Sequence, residues 1–370
     1  MIRTQILLLI LLFTNHAMGQ AGFTITAKFK GFDTGVQFYL EDPETQMSID
    51  SAVYKNDVIH FKGRLHDSPR LLFLSVTDNG KYYWCNLFIG NENVQISGDK
   101  ADFPFYLEKT GSTSQDTYQI LNDQTKWYDK RRGELVESIS GLMMDSSSTA
   151  RSKWDSAWNI IKPLDQAMDS IRLNFIKKYY NSYAGLNELF YLKKQFTKEE
   201  IQKMYTNLKA PYKNSIYGQR IYNFLKVGNI LKTGDGYADF QALDTAGNIH
   251  RISSYNKKYI LLDFTETYCG PCIYAVKELK EIDSLYKEKM QIISFYADKS
   301  KDIWLTGVVR DQPSWLTLWD GKGTAGETVL KYGVSGYPTF FLIDPQGKIV
   351  WRGSGYGEGS VKEGIEKYMQ

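Results

Sequence analysis

Tyr259-Ile-Leu-Leu-Asp-Phe-Thr-Glu-Thr-Tyr-Cys-Gly-Pro-Cys272 is the stretch that decides the fold. Residues 259–264 form a nearly continuous apolar run, the composition of a central strand buried on both faces. Beyond the cysteines, Cys272, Val276, Leu279, Ile282 and Tyr286 recur at helical spacing, with Lys277, Glu278, Lys280 and Glu281 expected on the solvent side. A strand, two cysteines and a helix in that order put Cys269 at a helix N-terminus. Unpaired backbone N–H groups and the positive end of the helix dipole there favour thiolate over thiol. Two intervening residues let Cys272 reach Cys269 across one turn, so Cys269 can attack a disulfide and Cys272 can resolve the mixed disulfide. Pro271 suits a first helical turn, where its missing N–H costs nothing.

Two bland readings compete with a redox pair. A zinc knuckle needs two more ligands at sensible spacing, and the chain offers only Cys85 and four histidines. A structural disulfide closing so small a loop would stabilise little.

The rest of the last third alternates strands and helices. Gln291-Ile-Ile-Ser-Phe-Tyr296 reads as a second buried strand, followed by a helix around Lys301 to Val309. Thr339-Phe-Phe-Leu-Ile343 and Lys348-Ile-Val-Trp351 flank Asp344-Pro-Gln-Gly347, a type I turn composition that predicts a hairpin. Gly359 to Met369 closes with a helix. This order predicts a mixed sheet covered on both faces.

Upstream the chain changes character twice. Residues 23 to about 110 carry short alternating runs such as Phe23-Thr-Ile-Thr-Ala-Lys-Phe-Lys30 and Val58-Ile-His-Phe-Lys62, the pattern of a small antiparallel sandwich or barrel. Cys85 falls in one of these runs and reads as a buried, inert thiol. His60 and His66 lack partners at metal spacing. Gly111-Ser-Thr-Ser-Gln115 reads as a linker. From there to about Lys232 the periodicity is helical, with a stripe from Trp154 through Trp158, Ile161, Leu164 and Met168 to Phe175 and Tyr179 that reads as a packing seam. Thr197-Lys-Glu-Glu200 is a capping box, and Pro211 is expected just past the end of the helix it starts. The expected organisation is a signal peptide at 1–19, a β-rich domain at 20–110, a helical segment at 111–232 and an α/β domain at 233–370.

Composition narrows the function. Forty-five basic and 42 acidic side chains give a net charge of +3, and no run of Lys or Arg suggests a nucleic-acid partner. Arg3, the apolar run Ile6 to Phe13 and the small residues Ala17 and Gly19 read as a cleavable secretory signal. The run is too short to span a bilayer, and no cysteine follows it for lipid attachment. The chain is therefore expected in the periplasm or an equivalent oxidising space, soluble after cleavage.

Asp263 to Cys272, together with Tyr332-Gly-Val-Ser-Gly-Tyr-Pro-Thr-Phe-Phe341 and the turn at 344–347, resembles the thioredoxin fold, and in particular the exported TlpA/ResA-type thiol–disulfide oxidoreductases. Gly234-Asp-Gly-Tyr-Ala-Asp-Phe240, the hairpin Asp244-Thr-Ala-Gly247 and the insertion around Trp304 fit that subgroup. The front, with Ile49-Asp-Ser51, Phe61-Lys-Gly63 and Phe88 to Val94, resembles the β-rich domain of unknown role that often precedes such modules in Bacteroidetes-type exported proteins.

The resemblance implies that Cys269 attacks, that Cys272 resolves, that Pro338 is a cis-proline aligning the incoming chain, and that Asp263 moves a proton to or from the resolving thiol. Desolvation of a carboxyl inside the run 259–264 agrees in direction, since it raises the pKa towards general-base work. Tyr268, Gly270, Pro271 and Tyr337 are then the expected substrate contacts. Tyr268 stands in place of the usual tryptophan, Ile273 in place of a basic residue, Ala275 in place of an acid and Lys277 in place of a helix-kinking proline.

The implied activity is reduction of protein disulfides, with no cofactor besides the Cys269–Cys272 pair and no metal. A membrane thiol reductase would supply electrons, and apocytochrome c is one conceivable substrate. The alternatives are a thiol peroxidase of the AhpC/TSA kind, although Glu266 and Leu262 stand where those enzymes place threonine and proline, and a binding protein whose redox module is secondary.

Overall fold

The computed structural model describes residues 22–45, 47–66, 69–142, 147–255 and 258–369; the expected signal peptide at 1–19 lies outside them. Eight strands come first: β1 (Phe23–Lys30), β2 (Gln37–Asp42), β3 (Met47–Val53), β4 (Val58–Gly63), β5 (Arg70–Asp78), β6 (Lys81–Ile89), β7 (Asn93–Asp99) and β8 (Glu108–Thr110). They form two four-stranded sheets, ordered β4-β1-β7-β8 and β3-β2-β5-β6. Alternate side chains of both sheets, among them Ile25, Phe29, Phe38, Leu74, Cys85 and Ile96, fill one core, as a sandwich requires. The expectation of purely antiparallel pairing fails at one place, because β1 and β7 run parallel. Cys85 is fully buried and unpaired, and burial raises its pKa, so it is an inert core thiol.

Gly111 to Gln115 is not a linker. Ser112 caps α1 (Thr113–Ser140), accepting from Gln115 N–H at 3.2 Å. The Ser112 hydroxyl also donates to the carbonyl of Phe88 at 3.0 Å, while Gln115 Oε1 accepts from Phe88 N–H at 2.8 Å. Three short polar residues before a helical stretch suit a cap as well as a loop, and here the cap is buried against the sandwich.

The helical part continues with α2 (Ser148–Tyr179), α3 (Tyr183–Tyr191), α4 (Lys198–Thr206), α5 (Ala210–Asn214) and α6 (Ile216–Lys226). The tryptophan stripe of α2 packs with Ile139, Ala157 and Ile161, as a seam should. The capping box at Thr197 forms. Pro211 lies past the end of α4, as expected, and there it occupies the first turn of the next helix, α5. The main core of this part runs from Phe88 of the sandwich, through Phe175, Leu189 and Phe224, to Leu330 near the C-terminal sheet.

The C-terminal part contains β9 (Gln241–Leu243), β10 (Ile249–Arg251), β11 (Tyr259–Thr265), α7 (Gly270–Tyr286), β12 (Met290–Tyr296), α8 (Lys301–Asp311), β13 (Leu316–Trp319), α9 (Glu327–Lys331), β14 (Thr339–Ile343), β15 (Ile349–Ser354) and α10 (Ser360–Met369). Its sheet is mixed, in the order β10-β9-β13-β12-β11-β14-β15, with β11, β12 and β13 parallel. Each face has its own core: Leu262, Phe264, Phe295 and Phe341 on one, Leu261, Leu279, Ile292 and Ile365 on the other. The expected hairpin at Asp344–Gly347 joins β14 and β15. Sequence reading missed β13, whose four residues are too short for a periodic signal.

Glu278 does not face solvent as expected. It is buried and accepts from the N–H groups of Gly359 (2.9 Å) and Lys362 (2.7 Å), which caps the start of α10 from the neighbouring helix. No helix among the described residues is long and apolar enough to cross a membrane.

Candidate active site

The redox pair sits where β11 hands over to α7. Cys269 is the N-cap residue of α7, and a disulfide joins it to Cys272 with the Cα atoms 5.2 Å apart. Cys272 is buried while Cys269 is half-buried, so one sulfur alone is open to a partner. The Cys272 N–H donates to Cys269 Sγ at 3.2 Å. In the reduced protein that N–H and the dipole of a 17-residue helix both stabilise a thiolate on Cys269.

The loop ahead of the pair is clamped. Thr267, fully buried, donates its N–H to Asp298 Oδ2 at 3.1 Å, and its hydroxyl oxygen lies 2.9 Å from the same carboxylate oxygen and 3.1 Å from the carbonyl of Ile303. Arg310 donates to the Thr267 carbonyl and holds Asp311 in a two-point ion pair. Gly307 of α8 lies so close that a Cβ there would stand 2.6 Å from Thr267 Oγ1. The Cys269 N–H donates to the Glu266 carbonyl at 3.3 Å, a turn that presents the sulfur.

On the other side stands the loop before β14. The Tyr337–Pro338 peptide is cis, and the Tyr337 carbonyl oxygen lies 3.4 Å from Cys269 Sγ. Of the expected contact residues, Tyr268 and Gly270 are exposed beside the disulfide, and Pro271 and Tyr337 are half-buried. Burial lifts the Tyr337 phenol well above its ordinary value.

Asp263 is buried on β11, not at a wetted strand end. It shares a strand face with Leu261, which packs against Ala275 and Leu279, so its carboxyl points to the α7 side of the sheet. Oδ2 accepts from Ser294 Oγ at 2.8 Å, and Ser294 in turn accepts from Trp315 Nε1 at 2.9 Å. Oδ1 has no partner among the described residues. Burial, opposed by the Ser294 hydrogen bond, pushes this carboxyl up to about 7.

Sequence reading passed over Ser294 and gave Glu266 no role at this site. Parallel pairing sets Asp263 opposite Ser294, and each is the lone strongly polar residue of its strand's buried centre, which was the available signal. Glu266 begins the cysteine loop, and burial and the nearby Asp298 carboxylate push it up to about 8. Among the described residues no cluster of three His, Cys, Asp or Glu side chains could hold a metal.

Residues 256–349 match a thioredoxin-like family, and residues 23–118 match a domain of unknown function (DUF4369). The chain is similar to the thiol-disulfide oxidoreductase ResA of Bacillus thuringiensis subsp. konkukian, 30% identical over 141 residues that make up 38% of this chain and 78% of that protein. It is also similar to the thiol:disulfide interchange protein DsbE of Yersinia pestis, 35% identical over 101 residues, 26% of this chain and 50% of that one. A solved thiol-disulfide oxidoreductase from Bacteroides fragilis aligns at 29% identity with a TM-score of 0.32, covering 35% of this chain and 98% of its own. The match to ResA over 78% of that protein's length, with a disulfide at a strand-to-helix turn faced by a cis-proline, places the chain in the ResA-type thiol–disulfide oxidoreductase family.

Proposed function

We propose that the protein is an exported enzyme that reduces protein disulfides by dithiol exchange. The observation that carries this reading is the asymmetry of the pair: an accessible sulfur at the helix N-cap, and a buried one on the helix behind it. In the reduced enzyme the Cys269 thiolate attacks one sulfur of the substrate disulfide and expels the other as a thiolate. Cys272 then gives its proton to the Asp263 carboxylate and attacks Cys269. The substrate leaves as a dithiol and the enzyme keeps the disulfide. Asp263 suits this step because its pKa lies close to neutral pH. Pro338, Tyr337, Tyr268, Gly270 and Pro271 surround the exposed sulfur and form the substrate contacts in this reading.

Turnover then needs an external dithiol to reduce the oxidised pair. In the proposal a membrane thiol reductase supplies it, and disulfide-bearing exported proteins, apocytochrome c among them, are the substrates. The signal peptide at 1–19, the β-rich part at 20–110, the helical part at 111–232 and the redox part at 233–370 are the units of this enzyme.

Trapping tests it. With Cys272→Ser, the first exchange proceeds and the second cannot, so proteins disulfide-linked to Cys269 should accumulate in the native host. A reactive Cys269 thiol that captures no protein would refute protein disulfides as substrates.

A further inference from the structure

A cavity of about 760 Å³ lies beside the disulfide rather than on it. One wall is the cis-proline loop with Tyr337 and Gly336, together with Glu266 from the cysteine loop. A second is helical, carrying Tyr191 at the end of α3 and Lys226 at the end of α6. The front sandwich supplies a third through Glu44 and Leu71. A thioredoxin fold by itself would have only the first of these walls.

The walls are pinned together. Glu44 of the sandwich pairs with Arg70 (3.3 Å), with Arg220 of α6 and with Lys299 after β12 (3.3 Å), so one carboxylate ties all three parts. Lys194 donates to the Gly333 carbonyl (3.0 Å) and to Ser335 (3.1 Å), and the Tyr217 hydroxyl accepts from Leu71 N–H (2.8 Å). The cleft is therefore a built feature with fixed sides.

Size and charge select the occupant. The volume falls in the range of about 300–1,000 Å³ that admits small molecules and short chain segments. A folded partner would instead bury about 800 Å² of its surface. Tyr337 lines the cleft, and its carbonyl lies 3.4 Å from the half-buried Cys269 sulfur, so an occupant of the cleft lies next to whatever disulfide is being exchanged. Six basic and four acidic side chains line it, and Glu266 is held largely neutral below its raised pKa. Lys226 and Lys322 stand exposed on different walls.

We infer that this cleft is a composite substrate groove that takes an extended, acidic segment of an unfolded polypeptide flanking the disulfide to be reduced. The inference rests on the proposed disulfide reductase activity and adds to it the class of substrate and the use of the two preceding parts of the chain. Here the helical part and the sandwich act as specificity walls for the redox pair.

The test uses the full mature chain with dithiothreitol as reductant. Three substrates are compared: hydroxyethyl disulfide, and two unstructured peptides with one internal disulfide each, flanked by aspartates in one and by lysines in the other. The readout is the ratio of kcat/KM for the acidic over the basic peptide within each protein, which cancels any change in the pair itself. The native chain should prefer the acidic peptide by about fivefold or more, the factor that ~1 kcal/mol of exposed charge contacts supplies. The double variant Lys226→Glu, Lys322→Glu should bring that ratio to one or below, and about 1 M salt should erase the native preference. Equal ratios in native chain and variant, with hydroxyethyl disulfide turned over normally, overturn the groove alone. Failure to turn over even hydroxyethyl disulfide overturns the reductase reading and the groove with it.

Discussion

Ser294 Oγ donates a hydrogen bond to Asp263 Oδ2 at 2.8 Å, and this contact is the only side-chain hydrogen bond that the buried carboxyl receives among the described residues. It links adjacent parallel strands beneath the redox helix, and it tempers a desolvation that would otherwise drive the carboxyl higher. In the proposed mechanism the pH behaviour of the enzyme follows from this pair.

Asp263→Asn should stabilise the protein and disable it. Folding raises the carboxyl from 3.8 to about 7, so the native state keeps a proton that the unfolded chain has lost. Stability of the native protein therefore falls as pH rises from about 4 to 7 and stays lower above. Asparagine removes that penalty, worth at most ~4 kcal/mol above pH 7 and nothing below about pH 4. Urea unfolding at pH 5 and pH 8 measures the difference. Release of substrate from the mixed disulfide should slow about a hundredfold at neutral pH, the scale of a lost general base, as stopped-flow fluorescence can follow.

Ser294→Ala should move the pH profile upwards. Without the hydroxyl the Asp263 anion loses its one side-chain donor, and an interaction of ~1.5 kcal/mol with a charged group corresponds to about one pH unit. The pH dependence of kcat on a small disulfide should shift by that amount towards alkaline pH. A profile that stays in place would separate Asp263 from the rate.

Gly307→Ala tests the clamp on the cysteine loop. The added methyl would meet Thr267 Oγ1 at 2.6 Å and Tyr296 Cε1 at 3.0 Å, so α8 or the loop must shift. Overpacking of this kind costs about 1–3 kcal/mol. Because Thr267 stands two residues before Cys269, the reduction potential of the pair should change along with stability, and redox titration against glutathione reads it.

Glu44→Ala should loosen the molecule between its parts. The substitution leaves Arg220, a largely buried guanidinium, without its carboxylate partner. Breaking a partly buried ion pair costs about 2–4 kcal/mol. Limited proteolysis should then cut faster around residues 227–236, between α6 and β9, while the isolated sandwich keeps its own core.

The redox part was legible because its signals are local and strong. A two-face-buried strand such as Tyr259–Thr265, a Cys-x-x-Cys at a helix start and a turn like Asp344–Gly347 each declare themselves within a dozen residues. What escaped depends on neighbours distant in sequence. Glu278 looks like a solvent charge on its own helix, and only α10, some 80 residues later, makes it a buried cap. Gly111 to Gln115 has loop composition, yet Phe88 turns it into a helix cap. The parallel β1–β7 pair and the three-walled cleft likewise arise from chain crossings that no local pattern encodes.

That cap on α1 has a further consequence for solubility. β6 is the last strand of its sheet, and an exposed strand edge invites pairing with another chain. Phe88 would offer its N–H and carbonyl along that edge, but Gln115 and Ser112 already occupy both. The start of α1 thus closes the edge of the sandwich at this point, a guard against strand-to-strand aggregation.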